Sequence, residues 1–278
     1  MSIFFTYNDK IFKEGTSVIT PDSRALRYGD GLFETIKVNN GILQLGGYHF
    51  ERLFSGMEML QFEIPKYFTA DYLGNKIAEL CKKNQHNSFA RVRLMTFRGN
   101  GGLYDAENNF PNYIIQTWDI DPATELNSNG LVIDVYPDAK KSCDKFSNLK
   151  SNNFLPYVMA ALHAKSIKVN DCLVLNNFDR VADAAIANIF FIKHDIIYTS
   201  PLSEGCVAGV IRRFIIEKFS SKFKIIEKPF SIDELQNADE VFLTNSIKGI
   251  RWVKQFRDSQ YSNLVVKKIH ALFIKTIY

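Results

Sequence analysis

Asp119–Asn129, DIDPATELNSN, carries no apolar period, and it interrupts a chain otherwise built of short alternating and helical patterns. A polar run of this kind in mid-chain is where a domain boundary falls. It divides the 278 residues into a smaller N-terminal domain, 1–118, and a larger C-terminal domain, 130–278, with 119–129 as the linker. Both pieces mix period-2 and period-3.6 segments, which makes the expected class mixed α/β (α+β), two domains in all.

In the first piece, residues 1–45 read as short strands and turns, with a bend at Gly29-Asp30-Gly31 before a strand. Gly47–Leu60 reads as a helix with Leu53, Met57 and Leu60 on one face and Arg52 off it. Ala70–Lys83 reads as a second helix, aligned on Leu73, Ile77 and Leu80. Arg91–Phe97 and Tyr113–Trp118 alternate as strands, with a turn at Arg98-Gly99-Asn100-Gly101-Gly102 between them. Beyond the linker come a strand over 131–135, a helix over Phe154–Lys168 with Pro156 in its first turn, and a buried strand at Cys172–Leu175. Asn188–Thr199 reads as two strands joined at Lys193-His194-Asp195, and a helix starts near Gly209. Ser231 caps a short helix with Glu234 three residues on, the capping-box spacing. A strand at Val241–Leu243 leads to Thr244-Asn245-Ser246 in a loop, and Leu264–Ile274 is amphipathic.

Several function classes drop out early. A net charge of +4 with no compact basic stripe gives no footprint for nucleic acid. Charges interrupt the apolar runs too often for a membrane span, and MSIFFTYNDK lacks the basic-then-apolar order of a signal peptide. Cys81, Cys143, Cys172 and Cys206 are far apart, and the five histidines are scattered, so no metal site is expected. Free cysteines of this kind suit the reducing cytoplasm.

Lys150 stands out by its placement, in KFSNLKSNN between the strand at 131–135 and the helix that follows. A lysine fixed and partly dehydrated at such a junction serves as a nucleophile or base, because burial disfavours its charged form. A random surface lysine does neither. Arg52 is a candidate to reach an anion, Asp183 is an acid just before an apolar strand, and the N–H groups of Val210 and Ile211 open a helix, which suits a phosphate.

These residues fall in an order that resembles the class IV, fold-type IV family of pyridoxal-phosphate enzymes. The match includes Arg24 with Tyr28-Gly29-Asp30-Gly31-Leu32-Phe33-Glu34-Thr35, then His49 with Arg52-Leu53. It continues through Arg98-Gly99, Lys150, Ala187-Asn188-Ile189-Phe190, Tyr198-Thr199 with Pro201, Gly209-Val210-Ile211-Arg212 and Asp239-Glu240-Val241-Phe242. The resemblance implies a fold-type IV enzyme of two domains with pyridoxal 5'-phosphate between them, and a homodimer. It implies that Lys150 forms the Schiff-base link to the cofactor and later moves the substrate proton. Arg52 and the backbone of Val210 and Ile211 match the phosphate ligands, and Asn245 and Ser246 fall where the family places further donors. Asp183 aligns with the carboxylate that pairs with the pyridine nitrogen. On the substrate side the candidates are Tyr28, Thr35 and Arg98.

Two departures are visible. The family commonly has Thr where this chain has Ile211, and Glu where it has Asp183, one methylene shorter. Within the family, Leu155 stands where branched-chain aminotransferases usually carry tyrosine, and the arginine and histidine that D-amino-acid aminotransferases carry after the RG turn are missing. Aminodeoxychorismate lyase fits better, in GDGLFET, in Arg98-Gly99-Asn100-Gly101-Gly102, in Asn153 and Leu155, in Ala187-Asn188, and in Thr244-Asn245-Ser246. The expected activity is therefore 4-amino-4-deoxychorismate lyase. The alternatives are a transaminase using 2-oxoglutarate and an inert cofactor-binding relative.

Overall fold

The computed structural model describes residues 3–122 and 124–278; Met1, Ser2 and Ala123, the last within the expected linker, lie outside the described residues. Contacts divide the chain into two compact units. The first holds Met1–Pro122 together with Lys150–Asn153, and the second holds Ala123–Leu149 and Phe154–Tyr278.

The first unit contains strands β1 (Phe4–Tyr7), β2 (Lys10–Lys13), β3 (Gly31–Asn39), β4 (Ile42–Leu43), β5 (Phe89–Arg98) and β6 (Pro111–Asp119), and helices α1 (Arg24–Tyr28), α2 (Gly46–Met59) and α3 (Ala70–Lys83). Its sheet runs β2-β1-β6-β5-β3-β4 and is antiparallel throughout. Side chains alternate across such a sheet. Glu34, Ile36 and Val38 of β3 share one face with their partners Leu94, Val92 and Ala90 of β5, and α2 packs over β3. Leu53 and Met57 of α2 are buried against it, each worth about 2 kcal/mol. α3 forms where its apolar spacing requires, with Leu73, Ile77 and Leu80 fully buried against β1 and β6. Thr69 caps it by accepting a hydrogen bond from the Tyr72 N–H, and Lys82 and Lys83 complement the negative end of its dipole.

The second unit contains β7 (Leu131–Val135), α4 (Leu155–Ser166), β8 (Asp171–Leu175), β9 (Val181–Ala184), β10 (Asn188–Lys193), β11 (Ile196–Thr199), α5 (Val210–Phe219), β12 (Ile225–Glu227), α6 (Ile232–Gln236), β13 (Glu240–Asn245), β14 (Gly249–Phe256), β15 (Ser259–Gln260) and α7 (Leu264–Ile277). Its mixed sheet runs β12-β11-β10-β13-β14-β7-β8-β9, with β15 paired to β14. Ile189, Phe191, Val241, Leu243 and Val253 build the core on one face, while Phe190 stacks on its register partner Phe242, 4.8 Å between centroids. The β10–β11 hairpin turns through His194 and Asp195, both in the left-handed region, the pair of conformations that matches strand twist. Asp239 holds that turn by accepting from the His194 N–H and the Lys193 ammonium, 2.8 Å each. The capping box at Ser231 and Glu234 is formed in both directions.

Several elements depart from the sequence reading. Thr244 and Asn245 belong to β13 rather than to a loop, because Thr244 pairs with Asn188 and Ile250. β14 escapes a pattern search because its buried residues, Ile250, Val253 and Phe256, are spaced by three rather than two. α1 is a five-residue helix stopped by Gly29 in the left-handed conformation. Among the described residues no helix is long and apolar enough to cross a membrane.

Candidate active site

Lys150 is set by backbone pairing rather than by a loop. Ser151 bridges Leu32 in antiparallel register. The Phe33 N–H donates to the Lys150 carbonyl and the Asn152 N–H to the Gly31 carbonyl, 2.9 Å each. Lys150–Asn152 is thus a short edge segment on the first half of β3. Gly31 must be glycine here. An added Cβ would run into the Thr96 carbonyl oxygen and lie 2.7 Å from Asn152 Nδ2 and 2.9 Å from Phe97 Cα.

The register puts Lys150 opposite Phe33, on one face of the sheet. Its Nζ lies 4.4 Å from the Phe33 ring centroid. Arg93 of β5, the register partner of Thr35, brings its guanidinium to 4.0 Å from the same centroid. Burial, with Arg91 nearby, pulls the Arg93 guanidinium below its ordinary value. Two cations therefore share one aromatic ring. Thr35, half-buried, lies on this face.

Glu34 points to the other face. It is 1% exposed, and its carboxylate accepts from Arg52 Nε at 2.8 Å, Arg52 Nη2 at 2.5 Å and His49 Nδ1 at 2.6 Å. Burial is the largest influence and would raise this carboxyl. Arg52 and His49 outweigh it and hold the group at about 2. An ionised carboxylate only accepts, so His49 carries its proton on Nδ1. Burial pulls the His49 imidazole down, Glu34 opposes that, and the charges of Arg52 and Lys150 add to the lowering.

In the second unit, Asp183 of β9 is 2% exposed and ringed by donors. Tyr157 Oη donates to Oδ2 at 2.7 Å, the Val207 N–H donates to Oδ2 at 2.8 Å, and Asn188 Nδ2 donates to Oδ1 at 2.8 Å. Lys141 Nζ lies 3.6 Å from Oδ2. Asn188 also donates to the Val207 carbonyl at 2.9 Å, which ties Asp183 to the loop leading into α5. Gly209 caps α5 in an extended conformation without side-chain help, and a Cβ there would collide with Asn188 Oδ1. The N–H groups of Val210 and Ile211 therefore open the helix without intrahelical acceptors. The Ile211 side chain is a buried hydrocarbon without a donor, so any hydrogen bond from this position comes from its backbone N–H. Thr244 Oγ1, on the residue paired with Asn188, is buried with no partner.

Within the first unit, the structure brings Lys150 and Thr35 to one face and places Arg52 on the Glu34 carboxylate. Arg98, a substrate candidate by sequence, is committed elsewhere. It donates to Asp30 at 3.0 Å, Asn109 Oδ1 at 2.7 Å, and the carbonyls of Leu60 at 2.5 Å and Gln61 at 3.3 Å, with the Phe62 ring beneath it. Such a guanidinium fastens the end of α2. Tyr28 stacks below the Arg24 guanidinium, 5.1 Å away, and near Tyr104. In the second unit, Asn245 uses Oδ1 to hold its own turn, accepting from the N–H groups of Ile247 and Lys248, and Ser246 sits within that turn. Sequence reasoning passes over Glu34, Arg93, Lys141 and Tyr157. Glu34 lies inside the quoted GDGLFET run, and Arg93 is a charge at an alternating position in a strand, where a solvated side chain is the ordinary reading.

Residues 31–256 match the profile of a family described as amino-transferase class IV. An aminodeoxychorismate lyase of Vibrio harveyi is 27% identical over 231 residues, covering 82% of this chain and 83% of its own. A D-alanine aminotransferase of Bacillus licheniformis is 25% identical over 245 residues, covering 86% and 83%. Among solved structures, the branched-chain aminotransferase of the thermophilic archaeon Thermoproteus uzoniensis, with norvaline, shares the fold, with a TM-score of 0.88 at 20% identity over 100% of this chain and 95% of that one.

Proposed function

Because this chain belongs to the class IV aminotransferase family, we propose that it is a pyridoxal-phosphate enzyme whose reaction is the cleavage of 4-amino-4-deoxychorismate to 4-aminobenzoate and pyruvate. The observation that carries the reading is Lys150, pinned by two backbone hydrogen bonds with its amine over Phe33 and Arg93 over the same ring. An amine held this way acts on a substrate bearing a carboxylate, which Arg93 anchors.

Each unit, taken by itself, offers groups that suit the cofactor. The α5 start offers backbone N–H groups to a phosphate, and Gly209 keeps a side chain out of their way. The unpartnered Thr244 hydroxyl supplies a further donor where Ile211 has none. Arg52, Asn245 and Ser246 are assigned to the same group through the family resemblance. When bound, pyridoxal phosphate supplies an aldehyde for an amine and a ring that draws electrons from the substrate carbon. Lys150 anchors it and, once its amine is free and uncharged, takes the proton from the carbon beside the substrate nitrogen. Thr35 offers a hydroxyl on the same face. Asp183 provides the negative charge that favours a protonated ring nitrogen.

The working form in this reading is a homodimer. α4 exposes Leu155, Val158, Met159 and Leu162 along one stripe while Tyr157, Ala160 and Ala164 are buried on the other side. A helix apolar all round is a helix covered on both sides. A Val158→Glu variant that stays dimeric in light scattering counts against that arrangement.

The test is a substrate panel on purified protein, with the visible spectrum recorded. Release of pyruvate from aminodeoxychorismate is expected. Amino transfer to 2-oxoglutarate with no pyruvate makes the chain a transaminase instead. Protein that stays colourless with added pyridoxal phosphate forms no lysine link and overturns the enzyme reading. Lys150→Ala is expected to remove the cofactor band and turnover together.

A further inference from the structure

Both oxygens of Asp183 are surrounded by hydrogen-bond partners of its own unit. The Val207 N–H and the Asn188 amide can only donate, so both oxygens of Asp183 are fixed as acceptors. Tyr157 adds a third neutral donor. Neutral dipoles do not cancel a buried charge, and a carboxylate 2% exposed needs a counter-ion to stay ionised. Lys141 is that counter-ion. It is itself buried, its Nζ lies 3.6 Å from Asp183 Oδ2, and it is held there by the Ser147 carbonyl at 3.0 Å and the Tyr157 ring at 5.0 Å.

We propose that Lys141 is a positioning residue that keeps Asp183 ionised and turned onto Tyr157 and Val207, leaving a lone pair of Oδ1 for the cofactor ring. The inference rests on the functional reading above for the identity of that ring, but the Lys141–Asp183 pair stands on this unit's own geometry. The titratable neighbours agree. Burial holds the Asp183 carboxyl above its ordinary value, and Lys141 comes first among the groups that oppose that rise, ahead of Tyr157, Val207 and Asn188. Burial and then Asp183 raise the Tyr157 hydroxyl well above its ordinary value, and the same two influences push the Cys206 thiol up to about 12. Both are neutral near pH 7. Arg212, the other cation acting on Cys206, is engaged with the Ser200 carbonyl and Glu227. The compensating charge at Asp183 is therefore that of Lys141. Aspartate in place of glutamate also gains meaning. The shorter side chain sits back among donors that belong to its own unit.

The test is a carboxyl-carbon NMR titration of the full chain without cofactor, with Asp183 assigned through Asp183→Asn. In the native protein the Asp183 carboxyl is expected to be ionised at pH 7. Lys141→Met is expected to raise its titration by roughly 3 pH units, the effect of a unit charge at this separation in an effective dielectric of about 20. Lys141→Arg restores the native titration, and Tyr157→Phe moves it by under about one unit. A Lys141→Met titration within about half a unit of native overturns the proposal. If Lys141→Met does not fold, the native chain still decides, because a carboxyl protonated at pH 7 overturns it alone. In protein loaded with ring-15N pyridoxal phosphate, Lys141→Met is expected to move the nitrogen resonance toward the unprotonated position, and an unmoved resonance overturns the coupling to the ring. Failure to take up the cofactor refutes the preceding functional reading and leaves the carboxyl titration to judge the ion pair.

Discussion

Gly31→Ala is the substitution that most directly tests how Lys150 is held. The methyl group would collide with the Thr96 carbonyl oxygen and approach Phe97 Cα to 2.9 Å, both backbone atoms of the neighbouring strand β5. On the open side it would meet Asn152 Nδ2 at 2.7 Å. Backbone of a central sheet does not yield, so the edge segment Lys150–Asn152 must. Overpacking of this kind costs about 1–3 kcal/mol. Losing the two backbone hydrogen bonds that fasten the segment to Gly31 and Phe33 costs about 1 kcal/mol each. The sum is about 4 kcal/mol, a large share of an ordinary domain's stability. The chain has two tryptophans, Trp118 in the first unit and Trp252 in the second. Urea unfolding in a Trp252→Phe background therefore reports the first unit alone, and hydrogen exchange at the Phe33 and Asn152 amides reports the edge itself. Both amides are expected to lose protection and the transition to move to lower urea. A stability loss below about 1 kcal/mol, or native protection at both amides, refutes the account of how Lys150 is placed.

Three other outcomes follow from the charges and thiols. Burial pushes the Asp171 carboxyl up to about 6, against the backbone N–H groups of Cys172 and Ala185. A folded-state value above the unfolded one means this group withdraws stability as pH rises from about 4 to about 6, so Asp171→Asn is expected to stabilise by about 3 kcal/mol at pH 7 and by little below pH 4, measured by urea midpoints. Glu34 has the opposite sign. Its depressed value gives stability that is complete above about 4.5 and lost toward pH 2, so acid unfolding of the first unit is expected to steepen across that window, and a flat profile there contradicts the Arg52–His49 cluster. Burial pushes the thiols of Cys81 and Cys172 up to about 11 and that of Cys206 to about 12, while Cys143 alone is half-exposed. One thiol per folded chain is expected to react with a disulfide reagent at pH 7.5, and four after unfolding.

What can be read from the sequence is what local pattern specifies. α3 is legible because Leu73, Ile77 and Leu80 repeat at helical spacing behind a Thr69 cap. The β10–β11 hairpin is legible because polar residues separate two apolar runs. Lys150, Thr35 and the start of α5 are found because the family orders its motifs along the chain. The rest depends on register. That Arg93 shares a face with Lys150 follows only once β5 pairs with β3 and Ser151 with Leu32. That Arg98 fastens the end of α2 depends on carbonyls 37 and 38 residues away. The Asp183 cluster draws on Lys141, Tyr157, Asn188 and Val207, four positions that no periodicity connects.

The first unit is not a continuous stretch of chain, since Lys150–Asn153 belongs to it and residues 124–149 do not. A ribosome that has delivered residues 1–122 has made six strands but not the edge on which Lys150 sits. That edge exists only after some thirty further residues have emerged, so a fragment cut at the apparent boundary would be expressed with β3 half uncovered and without its lysine. Gene fusions or truncations that treat 119–129 as a clean seam would sever that amine from the sheet that orients it.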